Sequence, residues 1–172
     1  MSMSSKKSVS EALEWLDAAS MRFRPKTSEA LDRGLSLARE FEALSLSDRL
    51  SVQEHIPASL HQKLFALSGY MAEAAINDHD AKWIGAAICL HLIEDFGKDY
   101  RENFRYLVLV AYAAKKVNVD LKKVIDSLLP FASERASSYL IDFSHRDNGV
   151  NNLSSFGVKE EVIDNKSRFV PM

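Results

Sequence analysis

The hydrophobic pattern of the chain is densest between Ala81 and Val117, AKWIGAAICLHLIEDFGKDYRENFRYLVLVAYAAKKV. Two apolar segments, Trp83–Ile93 and Tyr106–Ala114, flank a short and heavily charged connection. Each is apolar nearly all the way round a helical period, which predicts helices buried among other helices. Neither reaches the roughly 18–20 apolar residues that a membrane-crossing helix needs.

On either side of this pair the pattern turns amphipathic. Val9, Leu13, Leu16, Ser20 and Phe23 share one helical face, with Ser8 and Glu11 at capping-box spacing and Pro25 as the stop. Thr27 or Ser28 caps a second helix that carries Leu31, Leu35, Ala38 and Phe41 inward, and Gly34 within it suggests a close helix contact. Ser45-Leu46-Ser47-Asp48 reads as a turn with a cap, followed by one or two helical turns over Arg49–His55 and a stop at Pro57. A further helix is expected from Ala58 or Ser59 to Ile76, striped by Leu60, Leu64, Leu67, Met71 and Ala75, with Gly69 a second site of close packing.

Asn77-Asp78-His79-Asp80 is a polar turn in which either aspartate can cap the helix that follows. That helix runs from Ala81 to Phe96, with Gly97 as its stop. Asp99 and Glu102 repeat the capping-box spacing ahead of a helix to Val117. Asp120 caps another that ends near Leu129, with Val119 and Val124 at staple spacing. Ser133 and Glu134 open the last helix, which ends near His145. Beyond it turn residues dominate. Val158–Ile163 and Arg168–Val170, separated by Asp164-Asn165-Lys166-Ser167, have the pattern of a small hairpin, and a disordered tail is the competing expectation.

Taken together the elements predict an all-α, compact bundle of about seven helices over residues 8–145. A flexible tail at 1–7 precedes it, and a loop-rich, partly packed extension follows at 146–172. Short loops make neighbouring helices antiparallel. No internal repeat recurs at a helix-pair period, which favours a bundle over the alternative, an irregular HEAT-like stack.

Composition narrows the function classes. At 172 residues the chain is the size of one domain with a core that needs no staples. Its 22 basic and 24 acidic residues leave a formal charge of −2, so no global field attracts nucleic acid or an anionic membrane. The single cysteine, Cys89, excludes an intramolecular disulfide and every multi-cysteine metal site. Its apolar surroundings predict an inert buried thiol. The N-terminus, MSMSSKKSVSEALEW, has no continuous apolar stretch, so a secretory signal is not expected and the cytoplasm is the expected compartment.

Several constellations invite chemistry, each with a plainer explanation beside it. Arg49 and His55 fall within the Arg-x(4–6)-His spacing of the HEPN ribonucleases, where such a pair clamps phosphate and acts as a base on a ribose hydroxyl. The spacing is loose, and the segment is short and ends at a proline. His79-Asp80 is similar to the dipeptide of HD-domain phosphohydrolases, with His55 or His61 upstream and Asp95 or Asp99 downstream as conceivable metal ligands. Here it lies in a polar turn followed by Ala-Lys-Trp, and helix capping accounts for Asp80. His91, Glu94 and Asp95 can share one helix side, yet the second Glu-x-x-His that a di-iron site requires is missing, which favours a core histidine. No Gly-rich phosphate loop, Gly-x-Ser-x-Gly or His-Glu-x-x-His is present. Lys115, Lys116, Lys122 and Lys123 make a small basic cluster around a turn between helices, and two of them lie near a helix C-terminus, where cations are favoured in any case.

The densest polar feature beside the core is the turn Glu94–Arg105. Its residues Glu94, Asp95, Asp99, Tyr100, Arg101, Glu102 and Arg105 suit either capping and salt bridges or a protein-recognition surface.

The run MAEAAINDHDAKWIGAAICLHLIEDFGKDYRENFRYLVLVAYAAKKVNVDL, with the later SFGVKEE, resembles a group of uncharacterised all-helical bacterial proteins, a likeness that spans about Arg49 to Phe169. It implies no activity and no site residues. In size, mild acidity and want of catalytic motifs the chain is also similar, generically, to immunity proteins of bacterial toxin systems. The expectation is a cytoplasmic, non-enzymatic protein-interaction domain, an immunity or adaptor protein, with no catalytic, cofactor or metal residues, no cofactor, no nucleic acid and no membrane. The alternative is a helical hydrolase of HEPN or HD type.

Overall fold

Local signals account for most of the element boundaries in the computed structural model, which describes residues 7–14, 28–56, 58–94, 100–132, 134–144 and 153–172. Eight α-helices occur among them: α1 (7–14), α2 (Ser28–Glu42), α3 (Leu46–Glu54), α4 (Ala58–Asp78), α5 (Lys82–Glu94), α6 (Tyr100–Lys116), α7 (Leu121–Leu128) and α8 (Glu134–Ser144). The fold is all-α with one two-stranded C-terminal hairpin, β1 (Val158–Ile163) and β2 (Lys166–Pro171). No helix among the described residues is long and apolar enough to cross a membrane.

Capping side chains start three of the helices. Ser45 Oγ accepts from Asp48 N–H at 3.2 Å ahead of α3, Asp80 Oδ1 accepts from Lys82 N–H at 3.0 Å ahead of α5, and Asp120 Oδ1 accepts from Lys123 N–H at 3.4 Å ahead of α7. Ser8 is a correction: residue 7 is already helical, so Ser8 lies inside α1. The expected caps or stops at Pro25, Thr27, Pro57, Gly97, Asp99 and Ser133 lie outside the described residues.

Two helices end in left-handed residues. His79 (φ 53°) follows α4 and Asn118 (φ 59°) follows the last turn of α6. The next amides close back over each turn, Asp80 N–H to Ala75 O at 3.3 Å and Val119 N–H to Ala114 O at 2.8 Å. This is the six-to-one closure of a Schellman motif, in which histidine and asparagine stand where glycine is commonest.

The core is centred on α5, whose residues from Trp83 to Ile93 are buried save for a half-exposed Gly85. α4 packs against α2, α5, α6 and β2, so contacts run well beyond sequence neighbours and the helices form a bundle rather than a linear stack. Gly34 lets α2 approach α4. A Cβ there would lie 2.6 Å from Leu67 Cδ2 and 2.8 Å from Met71 Cε, both on fully buried side chains. The Gly34→Ala variant is therefore expected to lose about 1–2 kcal/mol of stability despite the roughly 1 kcal/mol that alanine offers a helix. Denaturant titration checks it, and a variant more stable than the parent would contradict the packing argument.

The hairpin has a two-residue turn, Asp164-Asn165, with φ of 51° and 63°. Two positive φ values make a type I′ turn, whose twist matches that of the strands. Lys166 and Ser167, expected in the loop, therefore belong to β2, with Ile163 opposite Lys166 and Val158 opposite Pro171.

Candidate interaction site at the hairpin

Arg49 and His55 are not brought together. Arg49 is buried, with its guanidinium 5.5 Å from the Phe41 ring centroid. Its Nε donates to Leu44 O at 3.1 Å and its Nη2 to Glu42 O, so the side chain closes the C-terminal end of α2. His55 is exposed, and its Nδ1 lies 2.7 Å from Ser51 O. His79 is exposed at the end of α4, and Asp80 pairs with Lys82 at 2.9 Å, which, with the backbone cap, holds its carboxyl below the usual range. The His61 side chain and Asp99 lie outside the described residues.

His91 is fully buried, and burial alone pushes its pKa down to about 3, so the imidazole is neutral. Cys89 is also buried, its thiol pushed up to about 12 by desolvation, and its Sγ donates to Ala38 O at 3.5 Å. That is an inert core thiol. No group of three or more His, Cys, Asp or Glu that could hold a metal ion occurs among the described residues.

Of the expected recognition turn, Asp95 and Asp99 lie outside the described residues. The same holds for the side chains of Glu94, Tyr100, Arg101, Glu102 and Arg105, whose backbone belongs to α5 and α6. The basic cluster is partly internally compensated. Lys116 Nζ lies 3.2 Å from Glu160 and 5.5 Å from the Tyr112 ring centroid, and Lys122 pairs with Asp126 one turn on at 2.7 Å. Hydrogen bonding to the respective carboxylates raises the pKa of both lysines.

A different polar constellation emerges where the hairpin meets α4 and α6. The residues flanking a two-residue turn form a hydrogen-bonded pair, and such pairs then alternate along the ladder. Met172 N–H donating to Gly157 O at 2.9 Å continues this alternation past Pro171. Ser167 and Phe169 accordingly aim their backbone groups away from β1. Helix α4 meets them: Asn77 Oδ1 accepts from Ser167 N–H at 2.7 Å, Asn77 Nδ2 donates to Ser167 O at 3.2 Å, and Glu73 Oε1 accepts from Phe169 N–H at 2.7 Å. Two side chains one helical turn apart thus stand in for a neighbouring strand.

On the face turned to α6, Glu160 pairs with Lys116, and Phe169 sits edge-on to Tyr112 with centroids 6.0 Å apart and an interplanar angle of 74°. Burial first, and Glu160 second, push the Tyr112 phenol up.

Between hairpin and helices lies a cleft of about 220 Å³, lined among others by Gly69, Tyr70, Glu73, Tyr106, Phe169 and Pro171. Gly69 lets Tyr106 lie close over α4, because a Cβ there would stand 3.1 Å from Tyr106 Cδ1. Sequence reasoning missed this site. Glu73 and Asn77 carry only the signal of two polar residues at i and i+4, which any solvated helix face shares. No family model matches the chain, and neither does any curated protein or solved structure compared with it.

Proposed function

We propose that this chain is a non-enzymatic protein-interaction domain, an immunity or adaptor protein, and that the hairpin is its contact element. The supporting observation is the asymmetry of the hairpin. Its β2 edge is closed by Asn77 and Glu73, whereas its tip carries Val162 and Ile163 at 63% and 42% exposure. By the same alternation, the backbone groups of Glu160 and Val162 point out of the opposite edge, the arrangement that accepts an extended segment of a partner. A two-stranded hairpin is marginal by itself, and one tied down along a single edge is a natural place to add a third strand.

The test is co-purification of the full chain, co-expressed with the product of the adjacent gene, in parallel with the V162D/I163D double variant. A stoichiometric complex with the parent chain, lost in the variant, is expected. Recovery of free monomer or homodimer alone would count decisively against the reading. A complex that survives V162D/I163D but fails on reversing Arg101 and Arg105 would move the contact to the α5–α6 turn.

A further inference from the structure

We infer that the open edge of β1 pairs with the same edge of a second copy of this chain, joining two hairpins into a four-stranded sheet. The inference concerns the chain by itself and does not rest on the partner reading. An unpaired strand edge is a template for another strand, and here α4 closes the edge of β2 and leaves that of β1. Among the described residues no hydrogen bond reaches the outward backbone groups of Glu160 and Val162.

The side chains of β1 select both the occupant and the register. A two-fold contact is isologous: if Lys159 faces Glu161 of the second copy, Glu161 faces Lys159 of that copy. Hydrogen bonding further requires outward residues to face outward residues. With Glu160 on the two-fold axis that condition is met, Val158 faces Val162, and Lys159 faces Glu161 twice over. The adjacent permitted registers, centred on Lys159 or on Glu161, set like charges directly opposite each other, which is destabilising.

Both charges are available for this pairing. Neither Lys159 nor Glu161 enters an ion pair among the described residues, although Arg168 stands opposite Glu161 within the hairpin. Glu160 meets its own copy on the axis, but each of these carboxylates already has Lys116 Nζ at 3.2 Å, which offsets their repulsion. The register also gives the exposed tip a place. Val162 comes beside Val158, and Ile163 comes opposite Gly157, around which there is open space.

The full chain, expressed alone, is followed by sedimentation equilibrium from about 10 μM to about 1 mM, with amide hydrogen exchange of Glu160 and Val162 as the local readout. A dimer with a Kd of about 100 μM or tighter is expected, protecting both amides as it forms. Lys159→Glu and Glu161→Lys should each weaken it at least about tenfold, because each turns two attractive cross-strand pairs into two repulsive ones. An equimolar mixture of the two variants restores opposite charges at both pairs, and so does the double variant. Both should regain the parent affinity, and recovery in the mixture also shows that each variant folds.

A monomer throughout the range, a dimer indifferent to either charge change, or a loss that neither the mixture nor the double variant repairs overturns the inference. A monomer that nevertheless binds the product of the adjacent gene removes the self-pairing and keeps the partner reading. A charge-dependent homodimer that ignores that product does the reverse.

Discussion

Arg49→Ala is expected to destabilise the protein by about 3–5 kcal/mol, the largest effect of any single truncation considered. The guanidinium donates to Glu42 O and Leu44 O at the end of α2 and rests on the Phe41 ring. A charge-assisted hydrogen bond is worth about 1.5–3 kcal/mol, and a buried carbonyl left without its donor forfeits most of that. Loss of the aliphatic stem and of the ring contact adds to it. Arg49→Lys should recover only part, because a single ammonium cannot reproduce the planar fork that reaches both carbonyls. Urea unfolding of the two variants provides the check. A change below about 1 kcal/mol for Arg49→Ala would show that the helix end finds other donors.

The second large effect is acid lability from His91. In the unfolded chain its pKa lies near 6.5, and in the folded protein burial holds it at about 3. The folded state therefore resists the proton that the unfolded state accepts. The associated stability is fully present above pH 6.5 and declines as pH falls toward 3. The slope approaches about 1.4 kcal/mol per pH unit, so roughly 2–3 kcal/mol should be lost between pH 7 and pH 4.5 from this group alone. His91→Leu is close in volume and cannot titrate. Whatever it does to stability at neutral pH, it should flatten the dependence between pH 6.5 and 4.5. Matching slopes in parent and variant, measured by denaturant titration across that range, would sink the assignment.

Arg49 also shows why chemistry was hard to read from spacing alone. Its distance from His55 along the chain fits a phosphate-binding pair, yet tertiary packing turns Arg49 inward to the end of α2 while His55 stays at the surface. Similarly, the His79-Asp80 dipeptide is explained by backbone geometry: His79 occupies the left-handed position that ends α4, and Asp80 starts α5. In both cases a residue type associated with catalysis meets a structural demand at a helix end.

Residue patterning alone determined the class of fold, the burial of α5 and α6, the cap at Asp120, the presence of caps in the Ser45–Asp48 and Asn77–Asp80 turns, and the close approach at Gly34. These depend on periodicity and on interactions spanning a few residues, which the chain states locally. The hairpin was legible from its turn residues and alternation, though its exact register awaited the positive φ angles at Asp164 and Asn165. Tertiary structure alone decided that Asn77 and Glu73 would close the edge of β2. Those contacts join residues 90 and 96 positions apart, and an exposed Asn or Glu one turn along a helix looks the same whether it faces water or a strand. The cleft lies where that docking brings the hairpin against α4 and α6. Local patterns specify which surfaces a segment buries, but which distant segment arrives to meet them is set by how the whole chain packs.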